Sequence, residues 1–401
     1  MKNILIITMI LVGALVLIGR AYLNSDAYQE NRVFSQYSVL TSTWEKYKQN
    51  YIDETGRVID PDQEFITTSE GQSYALLRAV WSDDKAKFDQ IWQWTKNNLQ
   101  REEDKLFSWK WGQLENGDYG VLPEGGLNSA TDADSDIALA LLFAAERWKD
   151  DQYRLEAEQI LASIWEQLVV EVNGQYYLLP GTWANSETEL VLNPSYFMPY
   201  SWRIFAEADP EHDWQLLIDP AYQVLMMAGD LNLNGEQGVG LPPNWLSLQK
   251  ASGALTAPPA DLTTHYSYDA MRVPWRITLD YVWFGDEQAH QYLATLEKLN
   301  EIYQSQGQFT STYSYSGQPL TEYESPVMYA TSLGYFQVIH PEVAENILNT
   351  KILSLYSNDE NSFSSELNYY DENWLWFSLG LYYQALPNLY PMSGETQAAA
   401  T

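Results

Sequence analysis

The sequence of 401 residues contains no cysteine, which excludes disulfide bonds, thiolate metal sites and cysteine nucleophiles together. Histidine is almost as scarce. There are 4 histidines and no H-E-x-x-H pattern, so a zinc centre is not expected. We therefore predict that the protein uses no metal and no cofactor, and that its stability comes from packing.

Basic residues are also few, since 22 Lys and Arg stand against 54 Asp and Glu and leave a net charge of −32. A protein this acidic repels phosphate backbones, so nucleic acid is not an expected partner. A neutral or cationic ligand fits this charge better.

The chain has only one long apolar run, from Ile4 to Ile18, and it follows a single lysine. Such a run is typical of an export signal or a membrane anchor. Its shortness favours a cleaved signal, but no A-x-A cleavage motif follows it, so both interpretations of residues 1–25 stay open, including membrane attachment through residues 4–18. In either case we expect an exported protein that is secreted, periplasmic or held at the outer face of the cytoplasmic membrane.

No linker rich in Pro, Ser or Gly divides the chain between residues 40 and 390. This favours a single domain over residues 26–392, followed by a flexible tail over residues 393–401. Apolar residues recur with helical spacing in several segments, which are 88–99, 137–148, 155–168, 292–303 and 374–382. Alternation typical of strands is confined to short pieces such as 175–181 and 309–317, which predict small β-hairpins in loops.

Aromatic residues are abundant, with 16 Trp and 29 Tyr. Many of them fall in the loops between helical segments, for example in 107–113, 181–186, 193–202 and 265–275. Helices of similar length joined by such loops suggest an all-α toroid of helical hairpins, with the loops at one end forming a concave face. Trp and Tyr beside Asn, Asp and Arg are typical of a sugar-binding groove, although filling a large α-helical core remains the alternative for any single aromatic.

Two carboxylates stand in settings suited to acid–base chemistry. Glu70 begins an apolar helical segment, so it is either a solvated helix-start residue or a carboxyl whose pKa is raised in an apolar pocket. Asp269 lies one helical turn before Arg272, which would keep it ionised, but a purely structural ion pair explains the same spacing.

The segment 130-ATDADSDIALALLFAAERW-148 carries three aspartates at alternate positions before an apolar helix. Thr131 and Asp134 have the spacing of a capping box, which predicts that they cap this helix. The segment fails as a calcium loop because it lacks the glycine and the bidentate glutamate that such a loop requires.

Three segments together resemble glycoside hydrolase family 8. The stretch 130–148 matches the family signature at every constrained position. The stretch 69-SEGQSYAL-76 is similar to the proton-donor segment, and 268-YDAMRVPWR-276 is similar to the base segment. The resemblance implies an (α/α)6 toroid of six helical hairpins with an open groove that cleaves internal β-1,4 links with inversion.

By matching position, the resemblance implies that Glu70 is the general acid and Asp269 the general base. It also implies that Asp132 binds and distorts the sugar at the cleavage point. Tyr268 and Arg272 would support the same subsite, with Arg272 holding Asp269. Tyr196, in 193-NPSYF-197, is similar to a tyrosine near the reacting sugar. No motif fixes the remaining three substrate-binding candidates, the stacking platforms Trp109, Trp111 and Trp183.

The expected partner is a polysaccharide. An aspartate base in the Y-D-A-x-R setting resembles the branch of the family that acts on cellulose, mixed-linkage β-glucan and xylan, and we favour a cellulose-like β-glucan. Chitosan stays open because a cationic polymer is attracted to an acidic protein. A non-catalytic sugar-binding protein or an accessory of exopolysaccharide export is the alternative from another class. A polysaccharide lyase on a similar toroid would leave an ultraviolet-absorbing product, which we do not expect.

Overall fold

The computed structural model describes residues 26–393, with side chains from Ser38 onward. The predicted leader over residues 1–25 lies outside the described residues, as does the predicted tail apart from Ser393. Within residues 26–393, none of the helices has the length and apolar character that crossing a membrane requires.

In the part of the chain that the structure describes, six helices form an inner ring. Their central segments are apolar on nearly all sides, which suits helices that are surrounded by other helices. In the second of the six, every residue from Thr131 to Ala145 is buried. The inner helices are α2 (Ser69–Trp81), α4 (Thr131–Trp148), α6 (Pro199–Ala208), α8 (Val273–Phe284), α11 (Pro326–Ile339) and α13 (Tyr369–Tyr382).

An outer layer of helices packs against this ring. In the outer helix α3 (Lys85–Asn98), only one face is buried, including Phe88, Ile91 and Thr95, because the other face meets solvent. The other outer helices are α1 (Asp26–Tyr51), α5 (Asp151–Leu168), α7 (Ile218–Ala228), α9 (Glu287–Thr295), α10 (Glu297–Gln306) and α12 (Pro341–Ile347). Each inner helix contacts at least one outer helix: α2 contacts α3, α4 contacts α5, α6 contacts α7, α8 contacts α9, α11 contacts α12 and α13 contacts α1.

The inner helices close into a ring. Each packs on the next in chain order from α2 to α13, and Tyr74 of α2 then meets the rings of Trp374 and Phe377 of α13 at 5.6 and 5.4 Å. The close approach of α8 and α11 depends on a glycine, since a Cβ atom at Gly334 of α11 would lie 2.8 Å from the Oγ1 of Thr278 in α8. The predicted (α/α)6 toroid is confirmed.

Short strands occupy the loops. The strands are β1 (Thr67–Thr68), β2 (Lys110–Gln113), β3 (Tyr119–Val121), β4 (Val169–Val172), β5 (Gln175–Leu178), β6 (Glu189–Leu192), β7 (Asn232–Leu233), β8 (Glu236–Gln237), β9 (Leu246–Gln249), β10 (Leu255–Thr256), β11 (Tyr356–Ser357) and β12 (Ser362–Phe363). Two three-stranded sheets have the orders β1-β2-β3 and β10-β9-β6, and the other strands of the described residues form the hairpins β4-β5, β7-β8 and β11-β12. All of these pairings are antiparallel.

Two details of the sequence-based prediction differ from the structure. The segment 309–317 forms no ladder of paired strands, although Tyr313 makes an isolated antiparallel bridge to Pro319 across a tight turn. The periodic segment 292–303 is not one helix, because α9 ends at Thr295 and α10 begins at Glu297. The apolar period continues across this break because both helices bury residues of this period in the core, for example Tyr292 in α9 and Leu299 in α10. The hairpin predicted at 175–181 is confirmed as β4-β5.

Candidate active site

The N-terminal turns of several inner helices meet at one end of the ring. Glu70 and Asp132 are the second residues of α2 and α4, and Asp269 precedes the 3₁₀ turn Ala270–Arg272 that leads into α8. The N-terminus of a helix carries a partial positive charge, which favours carboxylates there. The fold thereby gathers three acidic residues that lie far apart in the sequence.

These helix ends border an open cavity of about 700 Å³. Its lining combines carboxylates, one arginine, aromatic rings and uncharged polar groups, which is the mixture suited to a carbohydrate. The lining residues are Asp60, Asp62, Gln63, Thr68, Glu70, Trp109, Tyr268, Asp269, Arg272, Asn368, Tyr369 and Tyr370.

Arg272 lies at the centre of the three carboxylates. Its Nη1 donates to Glu70 Oε2 at 2.7 Å and to Asp132 Oδ2 at 2.8 Å. Its Nη2 donates to Asp269 Oδ1 at 2.9 Å and to the hydroxyl of Ser195 at the same distance. The Arg272 side chain is 2% exposed, so its charge is compensated by these neighbours instead of by water. The predicted ion pair between Asp269 and Arg272 is confirmed, and it is one part of a larger cluster.

Glu70 is held close to the border between its acidic and ionised forms. Burial raises the pKa of Glu70, the guanidinium of Arg272 lowers it, and the charges of Asp132 and Asp269 raise it further, to about 7. The side chain is still 27% exposed toward the cavity. A carboxyl group with these properties is able to donate a proton to a ligand near neutral pH.

Asp269 faces the same cavity with a side chain that is 29% exposed. The pKa of Asp269 is raised above its ordinary value, because burial and the charge of Asp132 outweigh the lowering by the Arg272 guanidinium and nearby polar groups. The ion pair with Arg272 favours the ionised form, which is the form that acts as a base.

Several tyrosines lie close to the acidic cluster. Tyr196 is not among the residues that line the cavity, but the Arg272 guanidinium lies 5.4 Å from the centre of its ring. Tyr370 donates a hydrogen bond to the backbone oxygen of Tyr268 at 2.9 Å, and the two rings meet edge to face. Burial raises the pKa values of Tyr196 and Tyr370 well above the usual 10, so both hydroxyls stay protonated and able to donate.

The three tryptophans named from the sequence occupy different surroundings. Trp109 lines the cavity. Trp111 lies outside the lining, and its ring packs edge to face on Trp94 and stacks on Tyr119. Trp183 also lies outside the lining and is 45% exposed, with its ring 5.8 Å from that of Trp245.

The capping role predicted for Thr131 and Asp134 is wrong. The helix cap is Ala130, whose side chain makes no capping bond, and Thr131 instead donates to the backbone oxygen of Leu179 at 2.6 Å. Asp134 accepts from the backbone N–H of Phe107 at 2.9 Å. Tertiary partners replaced the local bond because this end of α4 is fully buried.

Several residues of the site were not identified from the sequence. Asn193, Ser195 and Trp245 contact the acidic cluster or its neighbours, and Tyr369 and Tyr370 begin α13 beside Glu70. A usable signal existed for some of them. Asn193 and Ser195 belong to the same short segment as Tyr196, and the two tyrosines directly follow Asn368, which forms a capping box with Asp371. Trp245 has no such local signal.

The fold and the site define an (α/α)6 barrel with an acidic, aromatic groove, and comparison with known proteins identifies the family. The model for glycosyl hydrolases family 8 matches residues 24–371. The chain belongs to glycoside hydrolase family 8.

Individual relatives agree with this family. Endoglucanase A of Acetivibrio thermocellus is 31% identical over 315 residues, which cover 74% of this chain and 61% of that protein. An endoglucanase of Escherichia coli K12 is 36% identical over 247 residues, which cover 60% of this chain and 61% of that protein. The chain thus spans about three fifths of the length of the curated relatives that it matches.

Solved structures show the same architecture. The endo-1,4-D-glucanase of Vibrio fischeri ES114 superimposes with a TM-score of 0.71 at 25% identity, covering 84% of this chain and 94% of that one. Endoglucanase Cel10 of Klebsiella pneumoniae, a family 8 glycosyl hydrolase, has a TM-score of 0.68 at 26% identity, covering 86% of this chain and 99% of that one.

Proposed function

We propose that the protein is an endo-acting, inverting glycoside hydrolase that cleaves β-1,4 links in a cellulose-like or mixed-linkage β-glucan. In this proposal Glu70 is the general acid, Asp269 is the general base that activates water, and Asp132 binds the sugar at the cleavage point. The observation that carries it is the sharing of one buried guanidinium by these three carboxylates.

The different surroundings of the two main carboxylates support their division of roles. Hydrolysis of a glycosidic bond needs one protonated and one ionised carboxyl group. Burial and nearby negative charge outweigh the effect of Arg272 and raise the pKa of Glu70 to about 7, which suits the general acid. Burial raises the pKa of Asp269 as well, but its ion pair with Arg272 acts against this rise and favours the ionised form that a base needs.

The separation of the two groups is compatible with inversion. Glu70 and Asp269 bind different nitrogens of the same guanidinium, at 2.7 and 2.9 Å. Their bound oxygens are therefore no more than roughly 8 Å apart, and an inverting enzyme places its carboxyl groups about 6.5–9.5 Å apart to leave room for water.

The catalytic assignment is tested with the variants Glu70→Gln and Asp269→Asn. Each should lose at least about a thousandfold in kcat, as expected when an acid or base of this kind is removed, and should still bind oligosaccharide in calorimetry. Full activity in either variant would overturn the assignment.

The substrate and stereochemistry are tested by product analysis on carboxymethylcellulose, lichenan, xylan and chitosan. We expect short β-glucan oligosaccharides from the first two substrates. Proton NMR of the new reducing end should show the α anomer first, because inversion changes the configuration of a β link. Initial appearance of the β anomer would contradict the inverting mechanism.

Chitosan is the second candidate substrate, favoured by negative charge at the cavity. Asp60 and Asp62 are among the lining residues, in a protein with a net charge of −32. Negative charge attracts a cationic sugar polymer. Faster turnover of chitosan than of lichenan would favour this alternative.

We also propose that the protein acts outside the cytoplasm, on the basis of the apolar run over residues 4–18. N-terminal sequencing of the protein recovered from its native cells separates the two forms. A new N-terminus after this run indicates a cleaved signal, whereas an intact start in the membrane fraction indicates an anchor.

A further inference from the structure

Asp134 is a buried carboxyl group that the proposed chemistry does not use. It lies in the first turn of α4, two residues after Asp132, and is 0% exposed. Its Oδ1 accepts the backbone N–H of Phe107 at 2.9 Å, whereas its Oδ2 has no hydrogen-bond partner within the described part of the chain. Because burying a carboxyl group is costly, the bond to Phe107 indicates what this side chain does.

The backbone N–H of Phe107 needs a partner from outside its own loop. Phe107 forms an isolated antiparallel bridge with Gln100, and the hydrogen bonds of this bridge are donated by the N–H groups of Arg101 and Ser108. In a pair of this type the N–H of Phe107 points away from Gln100. A buried N–H without an acceptor is destabilising, and Oδ1 of Asp134 supplies the acceptor.

The chain that follows Phe107 reaches the cavity. Trp109 lines the cavity, and its backbone oxygen accepts the N–H of Ser69 at 3.0 Å. Ser69 begins α2 and directly precedes Glu70. Residues 107–109, which we call the bridging segment, are therefore bonded to the start of α4 at one end and to the start of α2 at the other.

We infer that Asp134 is a positioning residue for Trp109: by holding the bridging segment on α4, it fixes the aromatic ring against which a sugar packs in the cavity. This inference rests on the proposed function, in which the cavity binds a β-glucan. A ring contributes to affinity only when it is held at contact distance from its ligand, because dispersion attraction falls steeply with separation.

Other bonds also hold Trp109, so the contribution of Asp134 has to be separated from theirs. The N–H of Trp109 donates to the backbone oxygen of Asn128 at 2.9 Å, and its indole donates to that of Gly125 at 2.8 Å. These bonds connect Trp109 to the loop over residues 125–128, and the bond of Asp134 connects the bridging segment to α4. Loss of Asp134 leaves the loop bonds in place, so we expect a displaced ring in a folded protein.

The test compares Asp134→Leu with Asp134→Asn. Asp134→Leu keeps the size of the side chain but removes the acceptor for Phe107. Asp134→Asn keeps an oxygen that can accept this N–H. Its neutral amide also resembles the native group, because burial raises the pKa of Asp134 well above its ordinary value and favours the neutral carboxyl.

Affinity for cello-oligosaccharides is measured by calorimetry in the Glu70→Gln background, so that the ligand is not cleaved. Asp134→Leu should weaken binding by about five- to tenfold, because the ring of Trp109 loses its fixed position. Asp134→Asn should bind within about twofold of the parent protein. Added to Trp109→Ala, Asp134→Leu should cause no further loss of affinity, because its effect passes through the ring.

Tyr222→Phe is the control for a loss of stability alone. The buried hydroxyl of Tyr222 donates to Oδ2 of Asp280 at 2.6 Å, and neither residue lines the cavity. Its removal takes away one buried hydrogen bond, as Asp134→Leu does. This variant should unfold at a lower temperature and bind oligosaccharide with unchanged affinity.

The outcomes are distinct. Unchanged affinity in a folded Asp134→Leu variant would overturn the inference, and so would an equal loss of affinity with and without the ring of Trp109. A loss from Asp134→Asn as large as that from Asp134→Leu would show that the acceptor is not what matters. If Asp134→Leu does not fold, Asp134→Ala replaces it, and failure of both to fold would assign Asp134 to folding alone. Full turnover by Glu70→Gln would instead overturn the proposed function beneath the inference.

Discussion

The Nη1 atom of Arg272 lies 2.7 Å from Oε2 of Glu70. Such a contact normally lowers the pKa of a carboxyl group, yet the pKa of Glu70 is raised to about 7. Burial and the charges of Asp132 and Asp269 outweigh the arginine. One cation cannot neutralise three carboxylates, so the cluster retains a proton near neutral pH, and Glu70 is the group whose surroundings favour holding it.

The activity of the native protein should therefore fall as the pH rises through about 7. The pKa of Glu70 is about 7 in the folded protein, and the proposed acid is lost above it. We expect the alkaline limb of kcat/KM to fall about tenfold per pH unit beyond this point. A profile that stays flat from pH 6 to pH 9 would contradict the role of Glu70.

Asp132→Asn should move that alkaline limb to lower pH. The charge of Asp132 raises the pKa of Glu70, so its removal lets Arg272 lower this pKa further. We expect a shift of about one pH unit, together with weaker turnover because Asp132 is the proposed sugar ligand. The measurement is kcat/KM against pH on lichenan. A shift toward higher pH would show that this charge does not act on Glu70.

Glu70→Gln should stabilise the fold at alkaline pH while it abolishes turnover. The pKa of Glu70 rises from 4.5 to about 7 on folding, so its ionised form costs stability. The loss of folding free energy is absent below pH 4.5 and grows between pH 4.5 and pH 7. It is complete above about pH 7, where it amounts to roughly 3 kcal/mol. Urea unfolding at pH 5 and pH 8 should show a gain for the variant that is larger at pH 8. An equal gain at pH 5 and pH 8 would show that the ionisation of Glu70 is not the cause.

Arg272→Met should destabilise the protein by roughly 3–5 kcal/mol at neutral pH, because it leaves buried carboxylates without their cation. The loss should be smaller at pH 5 than at pH 8, since Glu70, with a pKa of about 7, is protonated at the lower pH. Arg147→Met serves as the control. Arg147 pairs with Asp83 at 3.1 Å on the surface, where the Asp83 side chain is 62% exposed, so its loss should cost less than about 1 kcal/mol.

Trp109→Ala should weaken ligand binding, whereas Trp111→Ala should lower the stability of the fold. Trp109 lines the cavity, so its loss should weaken oligosaccharide binding about tenfold. Trp111 has the Arg57 guanidinium 4.4 Å from its ring and Trp94 at its edge, so its loss should cost about 3 kcal/mol of stability with little change in KM. Calorimetry with cello-oligosaccharides and thermal unfolding measure the two effects. Equal binding losses would place Trp111 in the groove.

Local sequence patterns predict many of the helices and the family of this protein. The helical period identifies α3, α4, α5 and α13, and the signature in 130–148 identifies the family. These features are local because a helix forms from its own backbone bonds and its own apolar face. Even the ion pair between Asp269 and Arg272 is local, since its partners are one helical turn apart.

The properties of the site depend on distances that no local pattern contains. The sequence places Glu70, Asp132 and Asp269 in separate segments, and only the closed ring of inner helices brings all three to one guanidinium. The wrong capping prediction for Thr131 and Asp134 has the same cause, because tertiary partners replaced the local bond. The sequence by itself determined most of the inner and outer helices and indicated the residues proposed for the chemistry. The tertiary structure alone decided the pKa of Glu70, because burial and charge at short range are properties of the assembled ring.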